Sequence, residues 1–285
     1  MERVTEVSIP DKLVSQLALG TAFYSLEYKD QWFGLMDDFL AHGGTTIDTG
    51  RGYRESEQVI GLWMEKRAVR DRIVMITKGG LAEGGQGYLP VEEFGKKIEG
   101  ELTTSLECLR TDYIDLYFLH RDNPLLPVAE IVDALNDQLA RGRILAFGGS
   151  NWSSSRMDEA NEYADQHGLV GFSAISNNLS LAVPTGPFYT GLVSMDKAGQ
   201  SWLEESEIPL FSWSSQARGF FTGRYGPLAG ETAAPAEDAF TKRMMEIYGT
   251  DENFKRLRRA QEMAKRKGGL LGSSSGTGLG VAAPL

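Results

Sequence analysis

The chain has 285 residues and a formal net charge of −10, with 41% hydrophobic and 24% charged residues. These proportions are ordinary for a globular protein, and an α/β barrel of this length buries enough apolar surface to need no disulfides. The acidic charge disfavours a nucleic-acid binder, whose phosphate contacts need a basic surface. A single cysteine, Cys108, excludes an intrachain disulfide, and no run of residues is apolar and long enough for a membrane span. A cytoplasmic protein without nucleic-acid or membrane partners is therefore expected.

Short apolar runs alternate with amphipathic stretches along most of the chain, which predicts repeated strand–helix units. The predicted strands are 17–21, 45–49, 73–78, 113–120, 144–150, 172–176 and 208–213. The first predicted helix begins at an Asp30 N-cap, and the second covers 56–67. The others are predicted from Pro90 to 109, from Pro127 to 142, from a Ser153 cap to 168, and over 196–206 and 251–267. A glycine-rich loop is expected at 79–87 and an irregular stretch at 219–250.

Seven such units account for most of a TIM (β/α)8 barrel. Residues 268–285 break the pattern, because they carry no charge and are rich in glycine and serine. We expect one barrel domain over 1–267, followed by a disordered tail over 268–285. The eighth βα unit is not visible in the sequence, so the sheet would keep unpaired edges unless the tail or a partner covers them.

Four predicted strands end at polar residues: Asp48, Lys78, His120 and the pair Ser150-Asn151. In a barrel the carboxyl ends of the strands form the active-site face, so these side chains are expected to meet. Taken singly, each has a structural interpretation, such as a cap, a solvated lysine or a hydrogen-bonded histidine. Taken together, they favour an enzyme.

Several motifs, in order and at plausible spacing, resemble those of the aldo-keto reductases. They are Leu19-Gly20-Thr21, the segment from Ile47 to Glu57, Thr77-Lys78, the segment from Tyr113 to His120, and Gly149-Ser150-Asn151-Trp152. The resemblance extends from about 17 to 267. It implies NADPH-dependent reduction of an aldehyde or ketone on a TIM barrel, with a catalytic tetrad of Asp48, Tyr53, Lys78 and His120.

Carbonyl reduction needs a hydride on carbon and a proton on oxygen, and this tetrad suits the proton side of that reaction. Tyr53 would donate the proton, although a free tyrosine has a pKa of about 10 and is a weak acid at neutral pH. Lys78 would lower that pKa by stabilising the tyrosinate, and Asp48 would hold Lys78 in place. His120 would hydrogen-bond the substrate oxygen and orient it.

The resemblance also implies a set of cofactor contacts. Ser150 and Asn151 would hold the nicotinamide carboxamide, and Trp213 would stack under the ring. Asn178 stands where the family usually has a glutamine, and Arg54 stands where a glycine usually follows the tyrosine. Along the pyrophosphate the expected residues are Ser214, Gln216 and Gly219.

Two other functions stay open at this stage. The chain could bind a nicotinamide cofactor as a non-catalytic or regulatory protein, or it could be a defective truncated product. Three scattered histidines give no ligand spacing, so no metal site is expected. The only partner predicted is a small-molecule carbonyl substrate; the sequence leaves open its identity, the choice of NADP over NAD, and the oligomeric state.

Overall fold

The computed structural model describes residues 9, 12–81, 93–225, 238–267 and 279–281. Its strands are β1 (Leu17–Gly20), β2 (Thr46–Asp48), β3 (Val74–Gly79), β4 (Leu116–Leu119), β5 (Phe147–Ser150), β6 (Ile175–Ser176) and β7 (Leu279–Val281). They form one sheet in the order β6-β5-β4-β3-β2-β1-β7. The described α-helices are α1 (Lys29–Ala41), α2 (Ser56–Arg67), α3 (Phe94–Leu109), α4 (Val128–Ala140), α5 (Ser154–His167), α6 (Lys197–Ser206), α7 (Ala239–Tyr248) and α8 (Asp251–Lys267).

Strands β1 to β6 are all parallel and curl into part of a TIM barrel, which confirms the predicted fold class. Both faces of the sheet are buried, so alternate residues of a strand enter two different cores. In β3, Val74 and Ile76 lie in the inner core with Phe118, while Met75 packs in the outer core beneath the helices. The continuous apolar runs of the sequence follow from this double burial.

Neighbouring strands are held in a register that brings their carboxyl ends together. Asp48 of β2 pairs with Ile76 of β3, and Lys78 of β3 pairs with Phe118 of β4. Each ladder fixes the end of one strand relative to the next, so the loops that follow the strands emerge on one face. This face carries the residues discussed below.

Two helix starts were predicted with different success. Ser153 caps α5 by accepting from the Arg156 amide at 3.2 Å, as predicted. The prediction that Asp30 caps α1 is wrong, because α1 begins at Lys29 and Asp30 lies inside its first turn. A short 3-10 turn, Leu26–Tyr28, leads directly into α1 and makes a side-chain cap unnecessary.

The two edges of the sheet depart from the predicted pattern. Residues 208–213, predicted as a strand, make only isolated parallel bridges, from Leu210 to Ile175 and from Trp213 to Asn178. At the other edge, β7 pairs antiparallel with β1, so three residues of the predicted disordered tail form a strand. The rest of that tail lies outside the described residues, and the domain boundary at 267 stays a prediction.

The stretch 219–250 was predicted to be irregular, but it contains α7. Asp238 caps this helix by accepting from the Thr241 amide at 2.8 Å. Met244, Ile247 and Tyr248 face a second hydrophobic cluster. No helix in the described part of the chain is both long and apolar enough to cross a membrane.

Candidate active site

A buried ion pair lies at the carboxyl ends of β2 and β3. Lys78 Nζ is 2.5 Å from Asp48 Oδ2 and donates a second hydrogen bond of 2.8 Å to the Thr49 carbonyl. Burial acts to lower the pKa of Lys78, but the negative charge of Asp48 and the contact with Tyr53 outweigh it and raise the pKa above its ordinary value. Lys78 is therefore a fixed cation at neutral pH.

Tyr53 is held next to this lysine by the loop that follows β2. The Tyr53 amide donates to the Gly50 carbonyl at 2.9 Å, and the Arg51 amide donates to the Lys78 carbonyl at 2.7 Å, which ties the loop to β3. Lys78 Nζ lies 5.2 Å from the centre of the Tyr53 ring, close enough for its charge to act on the phenol.

The sequence led us to expect a lowered pKa for Tyr53, and the structure gives the opposite net direction. Burial raises the pKa of Tyr53 by more than Lys78 and its hydrogen bond lower it, and Asp48 adds to the increase. Lys78 does act in the expected sense, because a cation stabilises the tyrosinate. The free protein therefore holds Tyr53 in its protonated form.

His120 completes the group from the end of β4. Its ring centroid lies 5.5 Å from that of Tyr53 in an edge-on arrangement. Burial, followed by the charges of Lys78 and Arg121, lowers the pKa of His120 to about 3, so the ring is neutral at pH 7. Its Nδ1 is buried and has no hydrogen-bond partner among the described residues.

Gly50 lies at the centre of this cluster, and the sequence analysis gave it no role. A Cβ atom there would stand 3.5 Å from each of the side chains of Tyr53, Lys78 and His120. Any larger residue would therefore occupy space between the three polar groups. The sequence signal that could have indicated this role is the position of Gly50 directly after Asp48-Thr49, at the end of a predicted strand.

Ser150 ends β5 and Asn151 follows it, next to the backbone of His120. Asn151 has a positive φ of 60° and donates from Nδ2 to the His120 carbonyl at 3.1 Å, while its Oδ1 accepts from the Val193 amide at 3.1 Å. Ser150 Oγ donates to the Ser176 carbonyl at 2.9 Å. Both side chains are thus fixed by protein contacts next to the tetrad.

Asn178 and Trp213 continue this row toward the edge of the sheet. Asn178 donates from Nδ2 to the Trp213 carbonyl at 3.0 Å and accepts from Ser194 Oγ at 3.1 Å. The Trp213 indole Nε1 donates to the Ser176 carbonyl at 3.2 Å. The shorter amide at 178 therefore links the Trp213 backbone to the side chain of Ser194.

The segment that follows Trp213 has an unusual backbone. Four of its residues have a positive φ: Ser214 (54°), Ala217 (47°), Arg218 (53°) and Gly219 (92°). Gly219 is the residue best suited to such a conformation, because it has no Cβ. Gln216 lies within the same bend and is exposed.

Two charged residues near the site were not assigned a role from the sequence. Glu57 is buried; its Oε1 accepts from Thr77 Oγ1 at 2.7 Å and its Oε2 lies 2.5 Å from Arg51 Nη1, which links the Tyr53 loop to β3. Arg218 places its guanidinium over aromatic rings at the mouth of the site. No group of three or more His, Cys, Asp or Glu side chains in the described ranges could hold a metal ion.

The chain belongs to the aldo/keto reductase family, because a model of that family matches residues 16–273. It is 35% identical over 176 residues to norsolorinic acid reductase B of Aspergillus parasiticus, covering 56% of this chain and 46% of the relative. Norsolorinic acid reductase of Aspergillus flavus is 28% identical over 270 residues, covering 89% and 64%. Aldo-keto reductase ausK of Emericella nidulans is 36% identical over 154 residues, covering 51% and 38%.

The chain spans about half the length of most of these curated relatives. These relatives are named as reductases, and the matched family model is that of the aldo/keto reductases.

Proposed function

We propose that this chain reduces an aldehyde or ketone to an alcohol with NADPH, and that Tyr53 supplies the proton. The observation that carries the proposal is the cluster of Asp48, Tyr53, Lys78 and His120 at the ends of three neighbouring parallel strands. A phenol in contact with a buried ammonium, beside a neutral imidazole, is suited to giving a proton to a carbonyl oxygen.

The acid can be identified from the charge states of the group. His120 is neutral at pH 7 because its pKa is lowered to about 3, so it has no extra proton to give. Tyr53 keeps its proton because burial raises its pKa, and the ammonium of Lys78 stabilises the tyrosinate that proton transfer leaves behind. His120 is left to orient the carbonyl oxygen by a hydrogen bond.

The residues beside the tetrad fit the nicotinamide end of the cofactor. An indole, a hydroxyl and two carboxamides stand in one row, which is the chemistry needed for a flat ring that carries an amide. Ser150, Asn151, Asn178 and Trp213 would hold that end, and Ser214, Gln216 and Gly219 would lie along the phosphates. When bound, NADPH would supply the hydride.

The test is the oxidation of NADPH, followed by its absorbance, with a panel of aromatic and aliphatic aldehydes and ketones. Wild type should consume NADPH with at least one carbonyl compound, and Tyr53→Phe should lose about 10²- to 10⁴-fold in kcat because it keeps the ring and removes the proton. Tyr163→Phe is the matched control, since that hydroxyl contacts only Asp133 on the outer face of α4 and α5. Equal rates for wild type and Tyr53→Phe would refute the proposal.

Cofactor binding without turnover is the second candidate. It is favoured by the raised pKa of Tyr53, because a phenol that holds its proton more tightly is a weaker proton donor. A titration with NADPH separates the two functions. Binding at micromolar concentrations, with no absorbance loss for any carbonyl compound, would favour this second function over reduction.

A further inference from the structure

Arg218 is a cation beside Trp213 that has aromatic neighbours but, among the residues the structure describes, no acidic partner. Its guanidinium carbon lies 4.6 Å from the ring centre of Phe188, 5.4 Å from that of Tyr189 and 5.9 Å from that of Trp213. In the described part of the chain it forms no salt bridge, and its Nε is buried without a hydrogen-bond partner. A guanidinium has five N–H donors, so this one keeps unused donors at an aromatic-lined position.

The backbone holds this side chain in place. Arg218 has a positive φ of 53°, a conformation that costs energy for a residue with a Cβ. The rings of Phe188 and Tyr189 come from the loop after β6, whereas Trp213 directly precedes the bend at 214–219. The side chain is therefore positioned by two segments, and its three aromatic contacts lie within the range of cation–π attraction.

The same region carries an excess of positive charge. Asp48 is the carboxylate of the tetrad, whereas Lys78, Arg121 and Arg218 all act on the pKa values of Tyr53 or His120 as cations. Arg121 donates to the Thr190 carbonyl at 2.9 Å, in the loop that also carries Phe188 and Tyr189. On a chain with a net charge of −10, such a local excess favours an anionic ligand at this position.

We propose that Arg218 binds a carboxylate of the substrate, and that the preferred substrates are aromatic aldehydes or ketones that carry one. This inference rests on the proposed function, because it names the substrate class of the same site. The aromatic rings of Phe188 and Tyr189 would contact the ring of the substrate, while Trp213 would stay against the nicotinamide. The guanidinium fork would pair with its carboxylate, which is the geometry in which arginine binds best.

The cofactor phosphates are the competing ligand for Arg218. The bend at 214–219 was expected to lie along the pyrophosphate, so an arginine there could serve the cofactor. Its charge, however, is felt by Tyr53, which is the reacting end of the site, and two of its three aromatic neighbours come from the loop after β6. These contacts favour the substrate side.

The experiment compares 4-carboxybenzaldehyde with 4-formylbenzamide, which has the same size and no charge. Wild type should prefer the carboxylate in kcat/KM. Arg218→Met should lower kcat/KM for the carboxylate by about 10- to 100-fold, mainly through KM, and change that for the amide by less than about threefold. Arg218→Lys keeps the charge without the guanidinium fork, so its kcat/KM for the carboxylate should lie between those of wild type and Arg218→Met. Arg224→Met is the matched control, since Arg224 is an exposed arginine 5.0 Å from the ring of Tyr225.

A binding measurement separates failure of this inference from failure of the proposed function. Calorimetric titration with 4-methylbenzoate and with 4-methylbenzamide, neither of which carries a reducible carbonyl, should show Arg218-dependent binding of the benzoate alone. That result without any turnover would keep the anion site and refute the reductase. Turnover without a preference for the carboxylate would keep the reductase and overturn the anion site. The anion site is also overturned if Arg218→Met weakens NADPH binding and lowers kcat/KM equally for the carboxylate and the amide.

Discussion

The two ends of the parallel sheet each contain a carboxylate paired with a buried or mostly buried cation, but the surroundings of the two carboxylates differ. At the amino ends of the strands, Asp115 is fully buried between Lys12 and Arg70, each at 2.8 Å, and accepts from the Met75 amide at 2.8 Å. At the carboxyl ends, Asp48 pairs with Lys78, while His120 Nδ1 and Arg218 Nε stay without partners in the described structure. A carboxylate paired with two cations contributes to stability, whereas an imidazole and a guanidinium that lack both hydrogen-bond and ionic partners in the described structure are suited to binding something else.

Removing the charge of Asp115 should have the largest effect on stability. Asp115→Asn leaves two mostly buried cations without a carboxylate, so the free energy of unfolding should fall by about 3–5 kcal/mol. Denaturant unfolding checks this value. Asp37→Asn is the matched control, because the Asp37–Arg67 pair is more than a third exposed and its loss should cost less than about 1 kcal/mol. A similar cost for both variants would contradict the distinction between the two ends.

Asp48→Asn should reduce activity more than stability, the reverse of what is expected for Asp115→Asn. The Asp48 side chain is 25% exposed, so losing its charge should cost only about 1–2 kcal/mol of stability. Reductase activity should fall roughly 10- to 100-fold, because Lys78 is no longer held against Tyr53 and the acid loses part of its 10²- to 10⁴-fold contribution. Steady-state kinetics and unfolding on the same preparation test this. An intact kcat with a large loss of stability would make the carboxyl end of the sheet a structural site like the amino end.

The amino-acid sequence predicted the ends of the strands better than what connects them. Asp48, Lys78 and His120 could be placed together because apolar runs mark buried parallel strands, and those strands end on one face. The direction of the pKa shift of Tyr53 could not be predicted, because it depends on how deeply the loop after β2 is buried.

The far side of the site was harder to predict from the sequence. Residues 208–213 have the apolar character of a strand but form only two bridges, so Trp213 is positioned by hydrogen bonds from Asn178 and to Ser176. Arg218 depends on a left-handed backbone and on rings about 30 residues away in sequence. Neither feature has a local sequence signal. By contrast, α7 did have one, in the Asp238 cap and the spacing of Met244, Ile247 and Tyr248.

His120 should make stability sensitive to acid. Its pKa is about 3 in the folded protein and 6.5 in the unfolded chain, so below pH 6.5 the unfolded state binds the extra proton first. The contribution of neutral His120 to the free energy of unfolding is present above pH 6.5 and is lost as the pH falls toward 3. The loss amounts to about 2 kcal/mol between pH 7 and pH 5.

His120→Gln should remove this part of the pH dependence, as measured by denaturant unfolding at pH 7 and pH 5. The charged groups that face His120 and contribute to its pKa, Lys78 and Arg121, are unchanged in this variant. His42→Gln, at the exposed end of α1, is the control and should keep the wild-type difference between the two pH values. An unchanged acid difference in His120→Gln would mean that the imidazole is solvated rather than buried against those cations.

The smallest effect is expected at the cofactor side, where positions are set by single hydrogen bonds. Trp213→Phe keeps an aromatic plate but loses the indole donor to the Ser176 carbonyl, so NADPH should bind about 2- to 10-fold more weakly, with kcat less affected. Trp202→Phe loses a comparable indole donor, to Asp158 Oδ1 at 2.8 Å on the outer helices, and should leave NADPH affinity unchanged. Equal NADPH affinities for wild type and Trp213→Phe would mean that the cofactor does not contact Trp213. The tetrad would then be the part of the carboxyl end that still carries the proposed function, because its geometry does not depend on Trp213.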